Sequence, residues 1–547
     1  MNRKIKIIYP VLLAIAVIAG VFLGANIQRK TNQQVLKSMS LFQPDKLSLI
    51  LKMIEKDYVD TINKTELIEK AIPVILEELD PHTSYIPASD MKSVTEEMRG
   101  NFSGIGVQFV LQNDTVMIVD VVSGGPSKEL GILAGDRIIQ VNDESIVGKG
   151  FKSDSVVSRL RGPKNTKVKV KIFRPGFPEI IDYTITRGEI PIFSVDVSYM
   201  VTPNIGLIKV NRFAETTHDE FVQSINKLKK EGANKLIIDL RGNSGGYLQA
   251  VFEMVDEFLT ENKLIVYTEG KARSRYNYLS TNNGIWKDNE VAVLIDEFSA
   301  SASEIFAGAI QDNDRGIVVG RRSFGKGLVQ EQIPFLDGSA LRLTVARFYT
   351  PSGRCIQKSY DDGIEEYYKD FEKRLHHNEL SQKDSIHFND TLKYYTTGGR
   401  LVYGGGGIMP DFFVPADTTG MNKFYAAIIS KNLPYSFAFD YSDKNRKTLK
   451  NFQKIELLDD YLTQEQVFET FIDYAKSKGV QISPKELKES KKLLQTQINA
   501  LISRNINGDS GFYPIIFKID QTVLRTVELL DEGWNSSKIS ALNTTKN

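Results

Sequence analysis

The chain has 547 residues, enough for roughly three or four domains, and its 41% hydrophobic and 25% charged residues are the composition of a globular protein rather than a disordered one. A formal net charge of +1, with Lys and Arg spread along the chain instead of gathered in a stripe, gives no field for nucleic acid. The single cysteine, Cys355, excludes an intramolecular disulfide and a multi-cysteine zinc site, no H-E-x-x-H metal motif occurs, and no cofactor is called for.

The N-terminal MNRKIK is basic and residues 7–27 carry no charge. At about 1.5 Å per residue that stretch covers a hydrocarbon core of about 30 Å. Residues 1–28 therefore read as a signal anchor, a transmembrane helix making the chain single-pass in the cell membrane. Arg3, Lys4 and Lys6 favour a cytoplasmic N-terminus, which leaves the remainder extracytoplasmic, on the periplasmic side. A cleaved signal peptide is the alternative, for which Leu23-Gly24-Ala25 is a poor small-x-small site.

Residues 29–97 combine a polar linker with a helical unit, in which Leu47, Ile50, Leu51 and Ile54, then Leu67, Ile68, Ala71 and Ile72, recur at helical spacing. Over 98–190 the pattern changes to short alternating strands broken by glycine, such as GIGVQFV, TVMIVDVV and KVKVKIF, which predicts an all-β module. Strands IGLIKV, KLIIDL, VAVLID and GIVVG then alternate with helices across 191–418, an α/β body with a βαβ-type core. A polar, tyrosine-rich insertion occupies about 358–400 of it. Helical spacing and high charge return in 419–547, a helical C-terminal domain. The fold class is multidomain α+β.

Two strand-to-helix turns carry serines. LIIDLRGNSGG, residues 236–246, fits the G-x-S-x-G pattern of a nucleophile elbow, which would make Ser244 the nucleophile of a Ser-His hydrolase. Of the five histidines, however, His82 and His218 precede it and His376, His377 and His387 lie in the polar insertion. The glycines suit backbone N–H groups facing a ligand, as in an oxyanion hole. The second turn, in VAVLIDEFSASASEIF, places three alternating serines at a helix start, more than one N-cap requires. The next strand brings Lys326 between two glycines, with Gln330 four residues on. A lysine amine serves as general base when burial lowers its pKa, and a neutral glutamine can orient it.

Taken in order, SGIGVQF, LGILAGDRIIQVND, DLRGNSGG, SASASEIFAGAIQD, FGKGLVQ and YTPSGRCIQ resemble the C-terminal processing peptidases, or tail-specific proteases, which carry an inserted PDZ domain. The resemblance covers about residues 47–415. It implies a serine endopeptidase that recognises the C-terminal tails of protein or peptide substrates through its PDZ domain, 98–190, and cleaves extracytoplasmic proteins, anchored to the membrane by its N-terminal helix. Ser301 would be the nucleophile, Lys326 the base and Gln330 its partner. Ala302 and either Gly245 or Gly246 would form the oxyanion hole. Gly104, Ile105 and Gly106 would bind the peptide C-terminus, and Arg161 matches a regulatory arginine that couples the PDZ domain to the active site. The insertion and the C-terminal helical domain depart from the shorter relatives and leave a homo-oligomer or an activating adaptor open. A catalytically inactive PDZ scaffold of the cell envelope is the alternative, against which stand the intact Ser301, Lys326 and Gln330.

Overall fold

A computed structural model describes residue 20, residues 46–112, 114–148, 150–386 and 391–533, and residue 538. The expected membrane anchor, 1–28, lies outside the described residues except for Gly20. Among the described residues no helix is long and apolar enough to cross a membrane. The chain divides into two compact units, Met1–Glu78 and Leu79–Asn547. The first contains the helices Lys46–Asp57 and Lys64–Glu77; the second of these is capped by Asn63, whose side chain accepts the Glu66 N–H.

In the second unit, residues 101–191 form the β module. Its main sheet runs in the order Val107–Gln112, Thr115–Val121, Arg137–Val141, Lys167–Phe173, Ile181–Thr186, and a two-stranded ribbon pairs Asn101–Gly104 with Gly188–Pro191. The alternation in KVKVKIF turns Val168, Val170 and Ile172 inward, onto Ile118, Ile138, Ile185 and Val156 of the helix Ser153–Leu160.

The body is built on a six-stranded sheet ordered Val195–Met200, Ile205–Val210, Lys235–Asp239, Glu290–Ile295, Ile317–Gly320, Phe412–Phe413. Only the first pair is antiparallel. Its central strands are continuous apolar runs because both faces are covered. Ile208, Ile238, Val293 and Val318 face the helices Thr217–Glu231, Leu248–Asp256 and Ala302–Asp312. The alternate residues, Leu207, Ile237, Leu294 and Val319, face Phe517, Val523, Leu529 and Leu530 from the end of the chain. A second sheet joins Ser84–Ile86, Ala340–Tyr349, Leu264–Gly270 and Arg273–Leu279, with Leu328–Pro334 on Ala340–Tyr349. The segment 424–506 packs a separate helical core around Phe437, Phe471, Leu494 and Ile498.

The helical reading of 419–547 therefore covers two roles: one stretch buries its own core, and the helix Gln521–Asp531 completes that of the body. Leu529→Ala, which empties a fully buried position on the sheet, is expected to cost about 2–5 kcal/mol. Leu524→Ala, at an exposed position of the same helix, should stay within about 0.5 kcal/mol. Denaturant midpoints of the two variants check this.

Candidate active site

The strand Glu290–Ile295 runs into a turn held by the Asp296 carboxylate, which accepts the N–H groups of Gly242, Phe298 and Ser299. Ser299 Oγ in turn donates to the Leu240 carbonyl at 2.9 Å, joining this turn to the end of the neighbouring strand. Ser301 follows at φ +54° and ψ −111°, in a region that costs a non-glycine residue about 1–3 kcal/mol, and Ala302 opens the helix. The strain points Ser301 out of both the strand and the helix geometry, at the head of the helix.

Glu304, one turn into that helix and fully buried, holds the arrangement. One carboxylate oxygen accepts the Ser301 N–H at 2.8 Å and the Lys326 N–H at 2.9 Å; the other accepts the Gly325 N–H at 2.7 Å and the Ser323 hydroxyl at 2.6 Å. Burial pushes this carboxyl up to about 7, while the four donors pull it down. Every contact donates to Glu304, so the geometry is that of the carboxylate. The Glu304 side chain thus fastens the loop carrying Lys326 to the turn carrying Ser301, alongside a backbone bond from the Phe324 N–H to the Ser299 carbonyl at 3.0 Å.

Lys326 Nζ donates to Gln330 Oε1 at 3.3 Å. Burial, reinforced by the Arg342 charge, depresses its pKa below the usual lysine value, against the opposing pull of Glu304 and Asp80. Gln330 Nε2 donates to the His82 carbonyl at 2.5 Å, which fixes the amide so that its oxygen faces the amine. His82 sits on a turn closed by the buried Asp80, which accepts the His82 and Thr83 N–H groups and the Thr344 hydroxyl. The imidazole, 2.7 Å from the Tyr367 hydroxyl, is pushed down to about 4 by burial and by Lys326. Tyr367 and Arg374 belong to the expected insertion. Arg374 donates to the Ser323 and Phe324 carbonyls, so this segment braces the lysine loop. The lone thiol, Cys355, is partly buried and pushed upward by burial, as befits a packing residue.

The glycine turn lies against Ser301. A Cβ on Gly245 would fall 2.8 Å from Ser301 Cβ and 3.0 Å from the Ala302 nitrogen, and one on Gly246 would fall 2.1 Å from the Phe213 carbonyl oxygen; both glycines have positive φ. Asn243 ties the two turns together: its carbonyl accepts from Ala300 N–H and Ser303 Oγ, and its side-chain oxygen accepts the Gly245 N–H at 2.9 Å. The N–H groups of Gly246 and Ala302 donate to no acceptor among the described residues. Ser244 is exposed, and His218, on the helix Thr217–Glu231, is bonded to Glu257. The Ser244 hydroxyl makes no hydrogen bond among the described residues.

In the β module, Gly104, Ile105 and Gly106 open a groove of about 110 Å³ between the strand Val107–Gln112 and the helix Ser153–Leu160, lined also by Phe102 and Arg161. The Ile105 and Gly106 N–H groups donate to no acceptor among the described residues. Arg161 lies over the Phe102 ring at 4.2 Å and pairs with Glu96 at 3.1 Å. Glu96 belongs to the helix Met91–Arg99, whose Val94, Glu97 and Met98 line the cleft beside Gly245.

Sequence reasoning assigned no role to Glu304, Asn243, Asp80 or His82. Glu304 had a signal: Ser301-x-x-Glu304 has the capping-box spacing. Asp80 and His82 had none, since their partners are more than 240 residues away.

The family model for Peptidase family S41 matches residues 204–369, that for the PDZ domain matches 103–182, and one described as a family of unknown function (DUF8443) matches 424–508. The chain is 33% identical over 376 residues to the carboxy-terminal processing protease CtpB of Bacillus subtilis (strain 168), covering 67% of this chain and 77% of that protein. It is 31% identical over 463 residues to CtpA of the same organism, covering 84% and 92%. A solved structure of the photosystem II D1 C-terminal processing protease matches at 26% identity and a TM-score of 0.33, covering 56% of this chain and 88% of that one. Fold and relatives define a serine-type peptidase with a PDZ domain. The chain belongs to peptidase family S41, among the carboxy-terminal processing proteases.

Glu304→Gln sets an amide NH2 against two of the four donors. It is expected to destabilise the protein by about 2–4 kcal/mol and to abolish most peptide hydrolysis, because the Ser301 and Lys326 N–H groups no longer share one acceptor that holds them in register. Thermal unfolding and kcat on the same preparation check both effects.

Proposed function

We propose that the protein is a membrane-anchored endopeptidase that cleaves extracytoplasmic proteins with Ser301 as nucleophile and Lys326 as general base, choosing substrates by their C-terminal tails. The observation that carries this reading is the shared Glu304 oxygen, which accepts the backbone N–H of both Ser301 and Lys326 while Gln330 holds the buried amine. In the first half-reaction Ser301 Oγ attacks the scissile carbonyl carbon and its proton passes to the neutral Lys326 Nζ. The oxyanion faces the N–H groups of Ala302 and Gly246, which are free to receive it, while Gly245, its own N–H taken by Asn243, provides the close approach. Lys326 then gives the proton to the leaving amine as the C–N bond breaks. Water, deprotonated by the same amine, hydrolyses the ester and restores Ser301.

The free terminal carboxylate of the tail binds at Gly104, Ile105 and Gly106, and the tail adds as a strand beside Val107–Gln112. Arg161, between that groove and the helix Met91–Arg99, relays its occupancy to the cleft.

Ser301→Ala should lower kcat about a thousandfold or more, and Ser244→Ala less than about tenfold; comparable losses in both would refute the assignment. Activity should rise with pH as Lys326 loses its proton, with no histidine limb in the neutral range because His82 is held at about 4. Lys326→Arg should be inactive, since guanidinium stays protonated. A substrate with an amidated C-terminus should be cut more slowly than the free acid by the full-length protein, and equal rates across a range of concentrations would remove the Gly104–Gly106 role.

A further inference from the structure

A cavity of about 430 Å³ adjoins the nucleophile turn, with Gly245 and Gly246 in its wall and Arg212 and Arg342 beside them. Arg342 lies on the strand Ala340–Tyr349, in register with Ser84 on one side and Gln332 on the other. Its guanidinium makes no hydrogen bond, ion pair or ring contact among the described residues, although the side chain is partly buried. Arg212, also partly buried, is steered by its neighbour: Asn211 Oδ1 accepts from Arg212 Nε at 3.0 Å, and neither Nη group has a partner among the described residues. Glu97 shares the cavity but is exposed and pairs with neither arginine.

Other guanidinium groups of the body are engaged, Arg315 by the carbonyls of Phe258, Trp286 and Asn289 and several by carboxylates. Arg241 pairs with Asp239 and Asp520, Arg321 with Glu297, Arg322 with Glu379, Arg354 with Asp312, and Arg400 with Asp314 and Asp411. Partly desolvated cations left without counter-charges around one cavity are costly to hold, and the cost is recovered when an anion enters. The anion a peptide carries is a carboxylate, whose two oxygens match the guanidinium fork. The charge of Arg342 also reaches Lys326, where it opposes protonation of the amine, so the two cations share one small region.

We propose that Arg212 and Arg342 form a carboxylate subsite in the catalytic cleft, which selects substrates with an aspartate or glutamate side chain within a few residues of the scissile bond. The inference rests on the cleft being the site of peptide hydrolysis. It adds a second, local acid recognition to that of the tail in the PDZ groove. The other source of a carboxylate, the free C-terminus of a very short tail, would instead make the cleft trim chains from their ends.

The test uses full-length protein and internally quenched peptides sharing one long free-acid tail. In these, each position from the third before the bond to the third after it carries Asp or Asn in turn. At one position the Asp peptide should be cleaved with a kcat/KM about 10- to 100-fold above its Asn counterpart. That ratio should fall toward one in Arg342→Gln and in Arg212→Gln, and Arg342→Lys should keep part of it. Two independent arginines guard against a variant that does not fold, which circular dichroism identifies. A ratio near one at every position overturns the proposal. So does a preference that appears only when a short-tailed peptide has a free rather than amidated C-terminus, which assigns the cleft to chain ends. The ratio is read on whatever hydrolysis the wild type performs, so it does not depend on which serine attacks: an active Ser301→Ala variant would refute the catalytic assignment and leave the subsite result standing.

Discussion

The site depends on one buried carboxylate. Glu304 receives four hydrogen bonds, from three backbone N–H groups and one hydroxyl, and these four bonds connect a helix start with a glycine loop about twenty residues further on. A carboxylate at this place also sits in the first turn of the helix Ala302–Asp312, where the helix dipole favours negative charge. The interaction explains why Ser301 can hold a strained backbone: the N–H that would otherwise be orphaned at the helix start is taken by Glu304, while the neighbouring Ala302 N–H has no acceptor among the described residues.

Around this tie the protein solves a charge problem in layers. A lysine with a depressed pKa needs a dry setting and no firm ion pair, and Lys326 has both: among the described residues its amine makes one hydrogen bond, to an amide oxygen. Gln330 would be free to turn its NH2 toward the amine, but the His82 carbonyl occupies that group, and Asp80 fixes His82 by binding the turn to Thr344. Each neighbour thus restrains the next, and the last in the series is a buried aspartate whose charge is satisfied by a turn of its own.

Much of this was legible in the sequence, for local reasons. The strands of the body announce themselves as apolar runs bounded by glycine and aspartate, and the two strand-to-helix turns carry Ser301 and the Gly245-Gly246 pair as contiguous motifs. What stayed hidden depends on side chains meeting across long separations. Both Gly245 and Gly246 read as donors until the Asn243 side chain is seen to occupy the first. The polar composition of 358–400 suggests a solvated excursion, yet Tyr367 and Arg374 are buried against the lysine loop, the tyrosine hydroxyl matched to an imidazole and the two Nη groups of the arginine to backbone carbonyls. Nor does helical periodicity tell which helix covers which sheet: the run KLIIDL requires cover on both faces, but nothing local says that Leu529 and Leu530 supply one of them.

The helix Gln521–Asp531 therefore has a bearing on how such an enzyme comes into being and how it ends. Until those residues have emerged, Leu207, Ile237, Leu294 and Val319 lack their lid, so a growing polypeptide cannot finish the catalytic half ahead of the rest. The same dependence acts in reverse when the helix is lost. Proteolysis that reaches into Gln521–Asp531 uncovers the sheet face of Leu207, Ile237, Leu294 and Val319 and leaves the body open to further cutting.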